Sequence, residues 1–229
     1  MSDYYRDRLS AGRLQRVYEV ATPRVRQYLA AEVDHVVQKI RPGDIVLELG
    51  CGFGRVLPDL AGKAGTVVGI DTAISSILMG LEICAGVSNC LLLPMDASRL
   101  AFASCTFDCV VCIQNGISAF HVEQMHLLRE SLRVARPGAK VLFSTYAEGF
   151  WKHRLKWFEL QSEAGLLGEI DQDRTGNGVI ETRDGFRATT VNRGQFRSMA
   201  DELGVTAHIV EVDGSSLFCE LTAVGESRI

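Results

Sequence analysis

Residues Asp44-Ile-Val-Leu-Glu48-Leu-Gly50-Cys51-Gly52-Phe-Gly54 carry an apolar run straight into a turn with glycine at alternate positions. The next apolar run, Thr66-Val-Val-Gly-Ile-Asp71, ends in an acid. An apolar strand, a glycine turn, a helix and a second strand closing on a carboxylate make a βαβ unit, and a carboxylate at that strand end accepts ribose hydroxyls. Glycine at 50 and 52 lets the backbone take positive φ and approach a ligand closely, which a Cβ forbids. The chain is therefore expected to bind a cofactor containing a nucleoside.

The spacing narrows the choice. A dinucleotide fingerprint reads G-x-G-x-x-G and seats a pyrophosphate on the helix N-terminus. Here the third glycine comes one residue early, and Glu48 stands two residues before the first, where it repels a pyrophosphate and suits a cationic amino group. The run resembles motif I, [D/E]-x-G-x-G-x-G, of class I S-adenosylmethionine-dependent methyltransferases. Later landmarks agree in order with that family. Asp96-Ala97, closing the run Cys90-Leu-Leu-Leu-Pro-Met, resembles its adenine-flanking acid. Phe107-Asp-Cys-Val resembles its fourth strand, and Arg136-Pro137-Gly138 its turn into the fifth. The likeness covers about residues 40 to 146, with a weaker tail to 224.

The resemblance implies S-adenosylmethionine as cofactor and S-adenosylhomocysteine as product. It assigns Glu48, Gly50, Cys51, Gly52, Gly54, Asp71, Thr72, Asp96, Ala97 and Gln114 to cofactor binding. Asp96 would accept from the adenine amine and the Ala97 N–H would donate to the ring. Asn115, His121 and Tyr146 are the candidate catalytic residues, facing an acceptor beyond strands four and five. The segment Gln114-Asn115-Gly116-Ile-Ser118 lacks the [N/D]-P-P-[Y/F] motif of base-methylating enzymes and the acidic cluster that holds Mg²⁺ in catechol-type enzymes, so no metal is expected. The expected reaction is in-line methyl transfer to a nitrogen or oxygen of a small molecule. An NAD(P)-dependent oxidoreductase and a non-catalytic S-adenosylmethionine-binding scaffold are the alternatives.

Strands and helices alternate from residue 44 to 146, so the fold class is α/β. A doubly wound, mostly parallel seven-stranded sheet covered on both faces is expected. Helices are predicted near 54–62, 74–84, 121–135 and 194–203. The runs 205–213 and 216–224, joined by Asp213-Gly214, predict an antiparallel edge hairpin. One domain spans 1–229: residues 1–40 as a helical lid of two amphipathic helices, 41–146 as the cofactor-binding core, 147–192 as a substrate-side insertion, and 193–229 as sheet completion. Thr22-Pro23 reads as an N-cap with proline at the first helical position.

The formal net charge of −4 argues against a nucleic-acid partner. The densest basic run, Lys152-His153-Arg154 with Lys156, reads as a solvated helix face. Seven cysteines without a disulfide-framework spacing suggest a reducing compartment. Cys109 and Cys112, three apart in one strand, point to opposite faces. Nothing in the sequence has the length of a membrane span or the apolar core of a signal peptide. A cytoplasmic protein without membrane association, monomeric or homodimeric, is expected.

Overall fold

The computed structural model describes Tyr4 and residues 8–225. The opening residues of the expected lid and the last four of the sheet-completing segment lie outside the described residues. Two helices come first, α1 (Ala11–Glu19) and α2 (Pro23–Lys39). The core then alternates β1 (Ile45–Leu49), α3 (Leu57–Ala61), β2 (Thr66–Asp71), α4 (Ile74–Ile83), β3 (Cys90–Pro94) and β4 (Phe107–Cys112). It continues with α5 (Gly116–Ala119), α6 (Gln124–Val134), β5 (Ala135–Tyr146) and α7 (Trp151–Glu163). The short strands β6 (Ile180–Glu181) and β7 (Arg187–Ala188), helix α8 (Arg193–Glu202), β8 (Ala207–Val212) and β9 (Ser216–Thr222) complete the chain.

Seven strands form one sheet in the order β3-β2-β1-β4-β5-β9-β8. β1 to β5 run parallel, and β9 pairs antiparallel with both β5 and β8. The expected mixed, doubly wound sheet is present. Strand alternation sends Leu47, Leu49, Val110 and Cys112 to the layer made by α6 and α8, and Val46, Cys109 and Val111 to the layer made by α2, α3 and α4. Cys109 and Cys112 thus fall in different cores, as their spacing requires.

Three local expectations are corrected. The helix predicted from 121 starts at Gln124, because Glu123 caps it by accepting from the Met125 and His126 N–H groups. His121 lies outside it, at φ 53°. The basic run on α7 is not wholly solvated: Lys152, His153 and Lys156 are exposed, but Arg154 is buried. Residues 154, 157, 158 and 161 share the inner face of α7, and Arg154 donates to the Gly178 carbonyl at 2.8 Å. Its guanidinium also lies 4.7 Å from the Tyr146 ring centre.

Finally, α2 belongs only in part to the expected cover. It is capped as expected, with Thr22 Oγ1 accepting from the Val25 N–H. Val33 and Val36, however, pack on the sheet beside Val46 and Val111. The first half of α2, through Val25, Tyr28 and Leu29, instead joins the segment before it over the sheet end. There Leu9 and Val17 join Trp157, Phe158, Ile180 and Phe186 of the insertion in a third core. Arg8 and Tyr4 both bond Asp184 in the β6–β7 turn, which ties the cover together.

Candidate functional site

A cavity of about 290 Å³ opens beyond the carboxyl ends of β1, β2 and β4. That is where open parallel sheets hold ligands, because the chain reverses there between neighbouring strands. Its floor is the glycine turn. Gly50 and Gly52 have φ of 73° and 54°, which Cβ-bearing residues adopt only with strain. A Cβ on Gly50 would lie 2.5 Å from the Phe120 ring, so the turn has no room for one. The Gly50 and Cys51 N–H groups both donate to the Ile70 carbonyl, which locks the turn to β2.

Asp71 ends β2 against this turn. Its Oδ2 accepts from the Gly52 N–H at 3.0 Å and its Oδ1 from the Ala73 N–H at 2.8 Å. The carboxylate therefore shapes the turn and also lines the cavity, beside Thr72. Asp96 and Ala97 line the far end. Asp96 is exposed and accepts at Oδ1 from both the N–H and the hydroxyl of Ser98, each at 2.8 Å. Cys51 lines the cavity as a buried thiol whose ionisation is pushed far up by burial and by the nearby Glu48 and Asp71 carboxylates, so it is not a nucleophile.

Glu48 is 4 % exposed and lines the same cavity. Burial raises its pKa to about 8, opposed by the Arg55 charge and reinforced by Asp71. Its Oε2 is buried without a hydrogen-bond partner. Arg55, directly after the glycine turn, also lines the cavity, and its guanidinium sits 4.6 Å from the Tyr18 ring centre. Nε and Nη2 of Arg55 are buried without hydrogen-bond partners.

The end of β4 is held from below. Gln114 has φ 55°, and its N–H is shared between Glu32 Oε2 and Ser144 Oγ, each at 2.9 Å. Glu32 comes from α2, is fully buried, and accepts at Oε1 from the Ser216 hydroxyl at 2.7 Å. Burial pushes its pKa up to about 7 against the pull of those hydrogen bonds. From above, the Tyr18 hydroxyl donates to Gln114 Oε1 at 3.0 Å. A cover helix, a strand end and a buried support helix thereby meet at one residue.

The three candidate catalytic residues separate. Tyr146 is buried at the end of β5 and lines the cavity. Asn115 is buried behind the wall at φ 64°, where it accepts from Thr145 Oγ1 at 2.7 Å and donates to the Thr189 carbonyl at 2.9 Å. Both ends of its amide are occupied, so it pins the insertion to β5 and does not face a ligand. His121 is exposed and absent from the lining, since its left-handed φ turns it out between Phe120 and Val122, which do line the cavity. Sequence reasoning missed Arg55, Glu32 and Gln161. The signal for Glu32 was available: it falls on the apolar stripe Val25, Leu29, Val33, Val36 of α2.

Residues 46–138 match the sequence family described as a methyltransferase domain. Over that stretch the chain is similar to methyltransferase domains. Among curated proteins, the domain is 33 % identical over 157 residues to phosphoethanolamine N-methyltransferase 1 of Zea mays, covering 59 % of this chain and 30 % of that protein. It is 30 % identical over 112 residues to a demethylmenaquinone methyltransferase of Bacillus cereus, covering 46 % of each. The chain thus spans less than half the length of these relatives. Among solved structures, an S-adenosylmethionine-dependent methyltransferase from Aquifex aeolicus superposes with a TM-score of 0.61 at 16 % identity, over 92 % of this chain and 98 % of that one. At that identity the likeness is one of fold. The match is to a methyltransferase domain and not to a dinucleotide-binding one. Among the described residues there is no cluster fit to hold a metal, and no helix long and apolar enough to cross a membrane.

Proposed function

We propose that this chain transfers a methyl group from S-adenosylmethionine to a nitrogen or oxygen of a small-molecule acceptor. The observation that carries the reading is the convergence of Asp71, Glu48 and Tyr146 on one cavity floored by a glycine turn with no room for a Cβ. The residues fit the cofactor: Asp71 for the ribose, Asp96 and Ala97 for the adenine, and the orphaned Glu48 oxygen for the α-ammonium. When bound, the cofactor supplies an already activated electrophilic methyl group. The protein's part is alignment and exclusion of water, and alignment is worth roughly 7–11 kcal/mol in favourable cases. Tyr146 orients the acceptor by its hydroxyl, while Trp157, Phe158 and Gln161 of the insertion and Leu14, Val17 and Tyr18 of α1 wall the acceptor side.

The relatives named for phosphoethanolamine and demethylmenaquinone support a small acceptor, as does the net charge of −4. All seven cysteines are free, which fits the reducing conditions of a cytoplasmic enzyme. The test has two arms. Titration calorimetry should show S-adenosylhomocysteine binding and no NAD binding. Incubation with labelled methyl donor and a metabolite extract should then label a small molecule, and label appearing in nucleic acid would overturn the acceptor class.

A further inference from the structure

Among the described residues, all six exposed large apolar side chains fall on two neighbouring elements: Ile74, Leu78, Leu81 and Ile83 on α4, and Leu91 and Leu93 on β3. Surface leucines scattered singly need no explanation, but a concentration of this kind marks a surface that is covered. α4 reads Ile-Ser-Ser-Ile-Leu-Met-Gly-Leu-Glu-Ile, with one charge in ten residues. Its Ile77 and Gly80 are buried, while Ile74, Leu78 and Leu81 form a second stripe at i, i+4 and i+7 that faces water. A helix apolar on both sides belongs between two partners, and the fold supplies one. β3 is the edge strand of the sheet. Leu92 joins the core beneath α4, so Leu91 and Leu93 point to the opposite face. No helix covers them there, because residues 95–106, which lead to β4, are irregular. The Asn89 carbonyl and the Met95 N–H both bond to β2. Backbone groups alternate sides along a strand, so those of Leu91 and Leu93 face β2 and those of Leu92 face outward. Pro94 has no N–H, and the Cys90 N–H is taken by the Val87 carbonyl. Within β3 this leaves the N–H and carbonyl of Leu92 as a matched outward pair, which is self-complementary.

We propose that this edge is the interface with a second copy of the chain, β3 pairing antiparallel with β3 about a twofold axis at Leu92. The two Leu92 residues exchange both of their backbone bonds across the axis. The same axis sets α4 beside the second α4 on one face, and Leu91 and Leu93 beside their copies on the other. The six apolar residues leave on the order of 500 Å² per copy in water, so two copies pool the roughly 1,000 Å² at which specific interfaces begin. Charge favours the same occupant. No Lys or Arg lies between Lys63 and Arg99, so the surface lacks the cations that draw a helix to an anionic membrane. Antiparallel α4 helices also carry each Glu82 to the other's first turn, which has neither an acid nor a side-chain cap of its own.

Sedimentation equilibrium of the full chain should show a monomer–dimer equilibrium in the micromolar range or tighter. Leu78, at the centre of the exposed stripe, faces its own copy across the axis. Leu78→Glu and Leu78→Lys should therefore each weaken association by roughly tenfold or more, through like charges set together. Both change an exposed position, and both variants should still melt cooperatively. An equimolar mixture of the two should restore association, because each Glu then meets a Lys. Hydrogen exchange at the Leu92 amide should slow as the concentration of the unaltered protein rises. A chain that stays monomeric at about 100 µM would overturn the interface. So would a dimer indifferent to both variants, or a mixture that associates no better than its components. Flotation of the unaltered chain with phosphatidylcholine vesicles, lost in Leu78→Glu, would assign the surface to a membrane and overturn the proposal as well.

Discussion

The Tyr18 hydroxyl donates to Oε1 of Gln114 across 96 residues of sequence, joining the first helix to the end of β4 over the cavity. The same ring carries the Arg55 guanidinium and lies 5.9 Å from the Phe53 ring. Tyr18→Phe keeps both ring contacts and removes one hydrogen bond, a change of about 1 kcal/mol. S-adenosylhomocysteine affinity should fall by only a few-fold and the melting temperature by a few degrees. A loss beyond about a hundredfold in calorimetry would show that the hydroxyl contacts the ligand directly.

Gly50 and Gly12 make a matched pair. Gly50→Ala places a Cβ 2.5 Å from the end of the Phe120 ring at a strained φ of 73°, so Phe120 or the turn must shift and cofactor binding should weaken. Gly12, in α1, has nothing within 4 Å of its would-be Cβ. Gly12→Ala should leave binding unchanged and add roughly 0.5–1 kcal/mol of stability. Thermal melts and calorimetry on the two variants check both statements.

Asp71→Ala removes an acceptor from the Gly52 and Ala73 N–H groups as well as from the ribose. Binding should fall at least tenfold, at roughly 1.5–3 kcal/mol per hydrogen bond to a charged acceptor. Amide exchange at Gly52 should also accelerate in the ligand-free protein. Retained protection at Gly52 would mean that the turn holds without the carboxylate.

Glu48 is protonated more readily in the folded chain than in the unfolded one, with a pKa of about 8 against an ordinary 4.5. Between those values the native state holds the extra proton, so ligand-free stability falls as pH rises through this window. Glu32 acts in the same direction up to about pH 7. Asp108, Asp184 and Asp213, whose carboxyls are held low, lose their contribution only under more acidic conditions. Melting temperature should therefore decline from pH 5.5 to 8, and less steeply in Glu48→Gln. An ammonium arriving at Glu48 near pH 7 should expel its proton, so the binding enthalpy should vary with buffer ionisation heat in the unaltered protein and not in Glu48→Gln.

Asn115→Ala leaves Thr145 Oγ1 and the Thr189 carbonyl without their partner in a buried setting. It should cost about 1–3 kcal/mol of stability. His121→Ala, at an exposed position off the cavity, should leave both stability and methyl transfer unchanged. Turnover lost in His121→Ala with an intact fold would return that residue to the site.

Much of this was legible in the sequence, and the misses have a common physical cause. Strand runs, the glycine turn and Asp71 are local signals, so the sheet and the cofactor side could be read directly. Helical periodicity reports that a face is buried but not what buries it. The stripe on α2 fits a lid as well as it fits the sheet layer it joins, and Arg154 was hidden because its run was read by charge rather than by its alignment with Trp157, Phe158 and Gln161. The start of the helix was placed three residues early, at His121, since a carboxylate cap at Glu123 is weaker punctuation than the apolar residues around it. The Glu48–Arg55 relationship is a matter of side-chain reach, which spacing alone does not reveal.

The bond from Glu32 to the Gln114 N–H has a consequence for exchanging parts between relatives. An engineer seeking a new acceptor preference would graft the whole helical N-terminus, cutting near residue 40 where the core begins. That cut would strip the strand end of its buried anchor and leave Ser216 facing a foreign side chain. A junction at Ala21-Thr22-Pro23 keeps Glu32 with the sheet, but Val25, Tyr28 and Leu29 of α2 share a core with α1 and the insertion, so the incoming cover must be matched to those three side chains.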